Sequence, residues 1–228
     1  MTAEPLVRCE HASRTYGDGA TATVALQPVD VVVEPGARIA FMGPSGSGKS
    51  TLVHLMAGLD EPTSGTVSWP ALGPRAALRP GPVAIVFQGP SLLPPLTVEE
   101  NVALPLVLDG RRDADAHAAA RNALALLDLT DVREKLPEEI SGGQAQRAAV
   151  ARALAGRPKL ILADEPTGQL DRLNAAVVVD ALLDAAGETG AALVVATHDP
   201  LVAERLTRVW ELRDGALATD PKETAWSR

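Results

Sequence analysis

The sequence predicts an α/β fold with a mixed sheet at its core, an antiparallel β subdomain at the N-terminus and a helical subdomain inserted into the chain. Three observations carry this prediction: apolar runs of strand length, helical spacing of apolar residues between the later runs, and a change to prolines and alanines in mid-chain. Hydrophobic residues make up 46% of the 228 residues but aromatic residues only 3%, so aliphatic side chains must form the core. Such a core suits buried parallel strands and small-residue helices.

Short strands are predicted in the first third of the chain, and a glycine-rich loop and a helix follow them. The strand patterns cover residues 6–9, 23–26, 29–33 and 38–42. After the loop, apolar residues at Leu52, Leu55 and Met56 keep helical spacing until Gly58, which suits a C-cap. A strand, a glycine loop and a helix are therefore expected in that order.

Buried strands and helices alternate in the last third of the chain. Apolar runs of strand length lie at residues 83–87, 160–163 and 193–196. The clearest helical patterns cover residues 145–154 and 171–186. A strand at residues 208–212 then meets Asp214-Gly215, which is a hairpin signal.

A different pattern separates the first of these strands from the second. Prolines come first, at residues 90, 94, 95 and 105, and an Ala-rich helical stretch follows near residues 115–127. We therefore predict that residues 89–158 form a helical subdomain, inserted into a core that consists of residues 1–88 and 159–228. The two parts would make one domain.

Charge and cysteine content exclude several classes of protein. The formal net charge of −8 argues against a nucleic-acid partner, because a broad phosphate-binding surface needs concentrated Lys and Arg. Cys9 is the only cysteine, which excludes an internal disulfide and favours a reducing compartment. No apolar run approaches the roughly 18 residues needed to span a bilayer. We expect no direct membrane insertion and a cytoplasmic location, and if the protein acts on a membrane, a separate subunit must span it.

The glycine-rich loop fits the pattern of a phosphate-binding loop. Its residues are Gly43, Pro44, Ser45, Gly46, Ser47, Gly48, Lys49 and Ser50. In such a loop, backbone N–H groups surround phosphate oxygens at a helix N-terminus. We expect Lys49 to reach the β- and γ-phosphates of ATP, Ser50 to coordinate Mg²⁺, and Thr51 to add an α-phosphate contact. An ordinary glycine-rich turn is the alternative, and the position between a strand and a helix argues against it.

Two carboxylates, Asp164 and Glu165, follow the apolar strand at residues 160–163. Phosphoryl transfer needs a carboxylate for the metal and a base for the attacking water, and we assign these tasks to Asp164 and Glu165. Both side chains can serve one site only if the chain leaves strand geometry there, which Pro166 favours. A solvated turn is the usual interpretation of an acidic strand end, but the phosphate loop makes catalysis the leading one. Together, the two motifs are typical of a P-loop NTPase with a RecA-like core.

A third motif consists of Ser141, Gly142, Gly143 and Gln144 before an Ala-rich helix. Its Ser-x-x-Gln form is that of a capping box, so a well-started helix is the simplest interpretation. That interpretation is incomplete, because each glycine in a first turn lowers helix stability by roughly 1 kcal/mol relative to Ala. A hydroxyl, accessible amides and the positive helix end together predict a second anion site.

The ordered set of these three motifs resembles the ATP-binding-cassette (ABC) ATPase family, and the pattern extends from Tyr16 to His198. The resemblance implies that the signature turn, residues 141–144, closes on the γ-phosphate held by another subunit. Two composite sites would then form in a head-to-tail dimer with a second copy or a paralogous ATPase. ATP hydrolysis would be the activity.

Four further residues match positions that have roles in that family. Gln88 matches the Q-loop glutamine that touches Mg²⁺ and the attacking water, and His198 matches the switch histidine that contacts the γ-phosphate. Asp171 matches the D-loop, which communicates between the two sites, although a helix N-cap is the simpler interpretation without the resemblance. Tyr16 matches the adenine-stacking position, and a packing role is the alternative.

Within the family, the phosphate loop, Gly58-Leu59-Asp60 and Pro166-Thr167-Gly168 are most similar to the lipoprotein-release and macrolide-export branch. Those ATPases drive a separate transmembrane permease, so this chain would lie on the inner face of the cell membrane through its permease. The permease would dock beside residues 88–101, where Leu92, Leu93 and Leu96 lie. The chain departs from the branch in a short, Pro-rich link at residues 69–82 and in Gln169, where asparagine is usual.

Three other functions remain open at this point. An ABC ATPase of the cell-division type would gate a periplasmic enzyme by mechanical transmission and transport nothing. A soluble ABC ATPase of DNA repair or translation would lack a permease, but the acidic charge and the single cassette weigh against it. A P-loop kinase would leave residues 141–144 without a purpose.

Overall fold

The computed structural model describes residues 3–217. Its strands and helices run in chain order as β1 (Val7–Tyr16), β2 (Thr23–Val33), β3 (Arg38–Met42), α1 (Lys49–Met56), β4 (Ser64–Ser68), β5 (Val83–Val86), α2 (Val98–Leu108), α3 (Asp113–Ala125), α4 (Gly142–Leu154), β6 (Leu160–Asp164), α5 (Arg172–Thr189), β7 (Ala192–Thr197), α6 (Pro200–Ala203), β8 (Arg208–Arg213) and β9 (Ala216–Leu217).

Contacts divide the chain into two compact units, and the second consists of residues 79–191. The first unit contains the rest of the described chain. The sequence predicted different boundaries, after residue 88 and before residue 159, for a helical subdomain inserted into the core. That subdivision stays a prediction. Residues 218–228 of the predicted core lie outside the described residues.

The first unit contains two sheets. In the antiparallel sheet, β1 lies between β2 and β4. In the other, β3 pairs in parallel with both β7 and β8, and β9 runs antiparallel to β8, so this sheet is mixed. Phe41 of β3 and Trp210 of β8 are buried, with ring centroids 5.1 Å apart. The predicted α/β class, with a mixed sheet and an antiparallel β subdomain at the N-terminus, is confirmed.

The antiparallel sheet differs from its prediction in two strands. β1 continues far beyond the predicted residues 6–9, because a register shift between Cys9 and Ala12, with His11 at a φ of 47°, interrupts the alternating pattern. β2 is one strand where the sequence predicted two, and it runs through Pro28. It lies at the edge of the sheet, where the missing N–H of a proline is tolerated.

The second unit joins a short parallel sheet to four helices. β5 pairs with β6, and every residue of β6 is buried. α2, α3 and α4 pack against one another, and α4 also contacts α5 and β5. α2 was not predicted, because Pro105 was counted among loop prolines although it lies inside the helix. Across residues 3–217, no helix is both long and apolar enough to cross a membrane.

Cys9 is buried in β1, with 1% of its surface exposed. Burial, assisted by the negative charge of Asp30, raises the pKa of its thiol from 9.0 to about 12. The thiol is therefore protonated at neutral pH, and it packs in the core of the first unit.

Candidate functional site

The glycine-rich loop connects β3 to α1, as predicted, and two of its glycines are required by their surroundings. A Cβ on Gly43 would collide with the carbonyl oxygen of Leu212. Gly48 is the N-cap of α1 at a φ of 97°, and a Cβ there would lie 2.6 Å from the carbonyl oxygen of Ala25. At Gly46, by contrast, a Cβ would meet no heavy atom within 4 Å among the described residues. The loop is therefore packed on one side and open on the other.

Lys49, the first residue of α1, turns its side chain over this loop. Its Nζ donates hydrogen bonds to the carbonyl oxygens of Gly43, at 2.8 Å, and Pro44, at 3.0 Å, and the residue is 5% exposed. A positive charge and the positive end of a helix thus meet at one loop, an arrangement suited to a bound phosphate chain.

The structure places His198 beside the phosphate-binding loop. It directly follows β7, and it lines a cavity of about 220 Å³ together with Gly43 and Pro44. The parallel pairing of β3 with β7 explains this placement, because the C-terminal ends of both strands meet at one edge of the sheet.

Tyr16 is held by two side chains, Arg14 and Asp60, to which the sequence analysis assigned no role in the site. Its hydroxyl donates to Oδ2 of Asp60 at 2.8 Å, and the guanidinium of Arg14 lies 4.6 Å from its ring centroid. Arg14 also pairs with Oδ1 of Asp60 at 2.8 Å. Burial alone would raise the pKa of Asp60, but the hydrogen bonds from Tyr16 and Glu61 and the charge of Arg14 outweigh it and lower this pKa. The sequence could have indicated Arg14 as a neighbour of Tyr16, because residues two apart on a strand point to the same face of the sheet.

In the second unit, the two carboxylates lie where the chain leaves β6. Asp164 is the last residue of the strand, and Glu165 has a φ of 46°, outside strand geometry, as Pro166 led us to expect. Asp164 is 5% exposed and Glu165 is 9% exposed. A left-handed backbone at a residue other than glycine is a strain found often at functional sites.

The turn at residues 141–144 starts α4 with the predicted capping box. Ser141 Oγ accepts from the Gln144 amide at 3.2 Å, and Gln144 Oε1 accepts from the Ser141 amide at 2.9 Å. A Cβ on Gly142 would meet no heavy atom within 4 Å among the described residues, and one on Gly143 would lie 3.7 Å from Leu170, an ordinary contact. The described chain therefore leaves room for a side chain at both glycines.

Asp171 caps α5 and is tied to α4. It accepts hydrogen bonds from the amides of Leu173, at 3.0 Å, and Asn174, at 2.9 Å. The Asn174 side chain donates to Asp171 at 2.6 Å and accepts from Arg147 of α4 at 2.8 Å. Hydrogen bonds from the backbone and side chain of Asn174 lower the pKa of Asp171. Gln88, which follows β5, is exposed in this unit.

The chain has a phosphate-binding loop between a parallel strand and a helix, and it has two adjacent carboxylates after a second buried strand. This combination defines the class of P-loop NTPases. Residues 26–168 match the ABC transporter family, and the chain belongs to that family.

Relatives and solved structures of the same family cover nearly the whole chain. The lipoprotein-releasing system ATP-binding protein LolD of Legionella pneumophila (strain Paris) is 43% identical over 211 residues, or 90% of this chain and 93% of the relative. LolD of Shewanella frigidimarina (strain NCIMB 400) is 40% identical, with 97% of each chain covered. The dimeric ATP-binding cassette MJ0796 bound to ADP and Pi has a TM-score of 0.86 at 34% identity, over 93% of this chain and 97% of that one. This chain is an ATP-binding and ATP-hydrolysing subunit of an ABC transporter.

Proposed function

We propose that this chain hydrolyses Mg-ATP as half of a head-to-tail dimer, formed with a second copy or a paralogous ATPase, and that the dimer drives a separate membrane permease. The turn at residues 141–144 is the observation that carries the proposal. Its two glycines weaken the start of α4 by roughly 1 kcal/mol each, although the described chain has room for side chains there. A glycine pair of this kind suits a phosphate group that arrives from outside, as the partner's nucleotide would.

The residues of the proposed site divide the tasks of binding and hydrolysis among them. The loop amides and Lys49 hold the β- and γ-phosphates, and Tyr16 stacks on the adenine. Glu165 accepts the proton of the attacking water, and Gln88 and His198 orient that water and the γ-phosphate. Two observations support these assignments: the Lys49 side chain lies over the phosphate-binding loop, and Glu165 is largely buried from solvent.

The oxygen donors assigned to the metal fit Mg²⁺. Ser50 offers a hydroxyl, Asp164 a carboxylate and Gln88 an amide oxygen, and Mg²⁺ prefers a few protein oxygens together with phosphate and water. Within residues 3–217, no group of three or more His, Cys, Asp or Glu side chains could hold a metal by itself. This fits an ion that arrives with ATP, where it would neutralise phosphate charge.

The permease would dock in the second unit, at an apolar cavity of about 410 Å³ bounded by β5, α2 and α4. Phe87, next to Gln88, lines it, as do Leu104, Leu106 and Leu108 of α2. The predicted leucines at 92, 93 and 96 do not line this cavity, so the proposed surface moves from the loop to α2. The relatives are named for a lipoprotein-releasing system, which makes a permease of that kind the first partner to test. The chain would then lie on the cytoplasmic face of the membrane.

Two substitutions test the catalytic assignments separately. Lys49→Ala should weaken ATP binding by about 10- to 100-fold, because a hydrogen bond to a charged group is lost. Glu165→Gln should keep ATP affinity within about twofold and lower turnover by about 100-fold or more. Calorimetry measures the affinity, and phosphate release measures the turnover.

Matched controls are the same changes at exposed positions, Lys135→Ala and Glu188→Gln, which should leave both quantities unchanged. Normal turnover in Glu165→Gln would exclude Glu165 as the base. Undiminished ATP affinity in Lys49→Ala would overturn the proposed nucleotide site.

A further inference from the structure

Gln146 is a buried glutamine in the second turn of α4, two residues after the signature turn, and the proposed function gives it no role. It is 2% exposed. Its Nε2 donates one hydrogen bond to the carbonyl oxygen of Phe87, at 3.1 Å, and another to the carbonyl oxygen of Pro166, at 3.2 Å. The two N–H groups of the amide are thus both used.

The chemistry of the two acceptors fixes the orientation of this amide. A flipped amide would place Oε1 against two carbonyl oxygens, which repel it, so Nε2 must face Phe87 and Pro166. Oε1 is buried and accepts no hydrogen bond from the described residues. Among the described residues, the hydrogen bonds of this amide are therefore the two that its nitrogen donates.

The two carbonyls belong to the backbone beside two residues of the proposed site. Phe87 directly precedes Gln88, and Pro166 directly follows Glu165. One side chain on α4 therefore joins the Q-loop to the segment after β6 that carries the proposed base. The same helix begins with Ser141, whose turn would meet the partner's nucleotide.

We propose that Gln146 is a positioning residue that couples the signature turn to Gln88 and Glu165 of its own chain. This inference rests on the proposed function. When the turn engages a nucleotide, α4 moves as a rigid element, and the Gln146 amide carries both carbonyls with it. Occupation of one composite site thereby sets the positions of the water-orienting glutamine and the base that serve the other.

Gln146→Met tests the coupling, because methionine keeps the length of the side chain and removes both donors. We expect turnover to fall about tenfold, the equivalent of two lost hydrogen bonds. ATP affinity should stay within about twofold, because Gln146 donates to the carbonyls of Phe87 and Pro166, and neither residue has a nucleotide contact in the proposed function. Amide hydrogen exchange should quicken at residues 87–89 and at residues 165, 167 and 168, which have amide hydrogens. The matched control is Gln27→Met, which removes an exposed glutamine that also donates to a backbone carbonyl, that of Asp214, at 2.9 Å.

A double-mutant cycle distinguishes coupling from a structural defect. Gln88→Ala with Gln146→Met should be no slower than the slower single variant, since both changes act on one pathway. Gln146→Glu keeps the length of the side chain but replaces the donating nitrogen with an oxygen that would face the carbonyl oxygens of Phe87 and Pro166, so it should lose at least as much turnover as Gln146→Met. Additive losses, or turnover within about twofold of wild type in Gln146→Met, would overturn the inference. The proposed function would fail separately, through normal turnover in Glu165→Gln.

Discussion

Arg14 and Asp60 hold Tyr16 from two directions. Asp60 accepts a hydrogen bond from the hydroxyl, and Arg14 lies over one face of the ring, so the proposed stacking on a base would use the other face. Because the hydroxyl is already donated to Asp60, Tyr16 would bind a base through its ring face alone. A change in Asp60 or Arg14 should therefore alter the position of the Tyr16 ring.

Asp60→Ala should weaken ATP binding about five- to tenfold, because Tyr16 loses its anchor and part of a stacking contact worth roughly 1–3 kcal/mol. Inorganic tripolyphosphate, which has no base, should bind as tightly to the variant as to the wild type. Tyr16→Leu with Asp60→Ala should bind ATP no more weakly than Tyr16→Leu alone. Calorimetry with both ligands measures these effects, and Asp30→Ala, on the same sheet, is the control.

The effect of Asp60→Ala should be the same at pH 6 and pH 8. The folded pKa of Asp60 lies below its ordinary value of 3.8, so its charge is present above about pH 4. Its contribution is lost only as the pH falls through the lower, folded pKa. A difference between wild type and variant that shrinks between pH 8 and 6 would contradict this account.

Sequence patterns locate such residues only when the partners are close in the chain. Tyr16 was selected by its position, but Asp60 lies 44 residues away, and no local pattern joins them. Gln146 was missed for the same reason, since its acceptors lie 59 and 20 residues away. The phosphate loop, the carboxylates and the signature turn were found because each is a continuous segment.

The N-terminus of α2 shows a signal that the sequence contained and the prediction overlooked. Thr97 Oγ1 accepts from the Glu100 amide at 3.2 Å, and Glu100 accepts from the Thr97 amide at 2.7 Å, which is a capping box. The four-residue pattern is visible in the sequence as Thr-x-x-Glu. Pro105 concealed it, because a proline inside a helix lacks a donor and argues against a helix.

Thr97→Ala should lower the free energy of unfolding by about 1 kcal/mol, because an N-cap hydrogen bond is lost. For a chain of this size the Tm should fall by about 2–4 °C. Thr97→Ser, which keeps the hydroxyl, should stay close to wild type. Calorimetric melting of the three proteins at one pH measures the difference, and equal losses in both variants would show that the methyl group matters and the cap does not.

The strands differ in how well the sequence predicts them, and burial explains the difference. β3, β6 and β7 are buried parallel strands with continuous apolar residues, and their predicted bounds are correct to within one residue. β4, with the sequence Ser-Gly-Thr-Val-Ser, was not predicted, because it has one apolar side chain and is held by backbone pairing with β1. Pairing of this kind leaves no hydrophobic pattern.

In the proposed assembly, the permease would dock at the apolar cavity of the second unit. Leu108 lines it and is 69% exposed, so Leu108→Glu should leave the fold intact while it places a charge against the docked permease. Leu126, 57% exposed in the same unit, does not line that cavity, and Leu126→Glu is the matched control.

Co-purification from membranes tests this prediction, because it measures the amount of permease that each variant retains. Leu108→Glu should recover at least about tenfold less permease than wild type, and Leu126→Glu should recover the wild-type amount. Both variants should keep the ATP affinity of wild type. Equal recovery of permease by the two variants would place the docking surface elsewhere.

Because Cys9 is buried, the folded protein should react very little with thiol-labelling reagents. Maleimides react with thiolates, and a thiol with a pKa of about 12 and 1% exposure supplies almost none at neutral pH. A cysteine introduced at Leu173, which is 83% exposed, would then be the one site that a dye or spin probe reaches while the chain is folded. Spectroscopic distances between two labelled copies could be measured without first removing the natural cysteine.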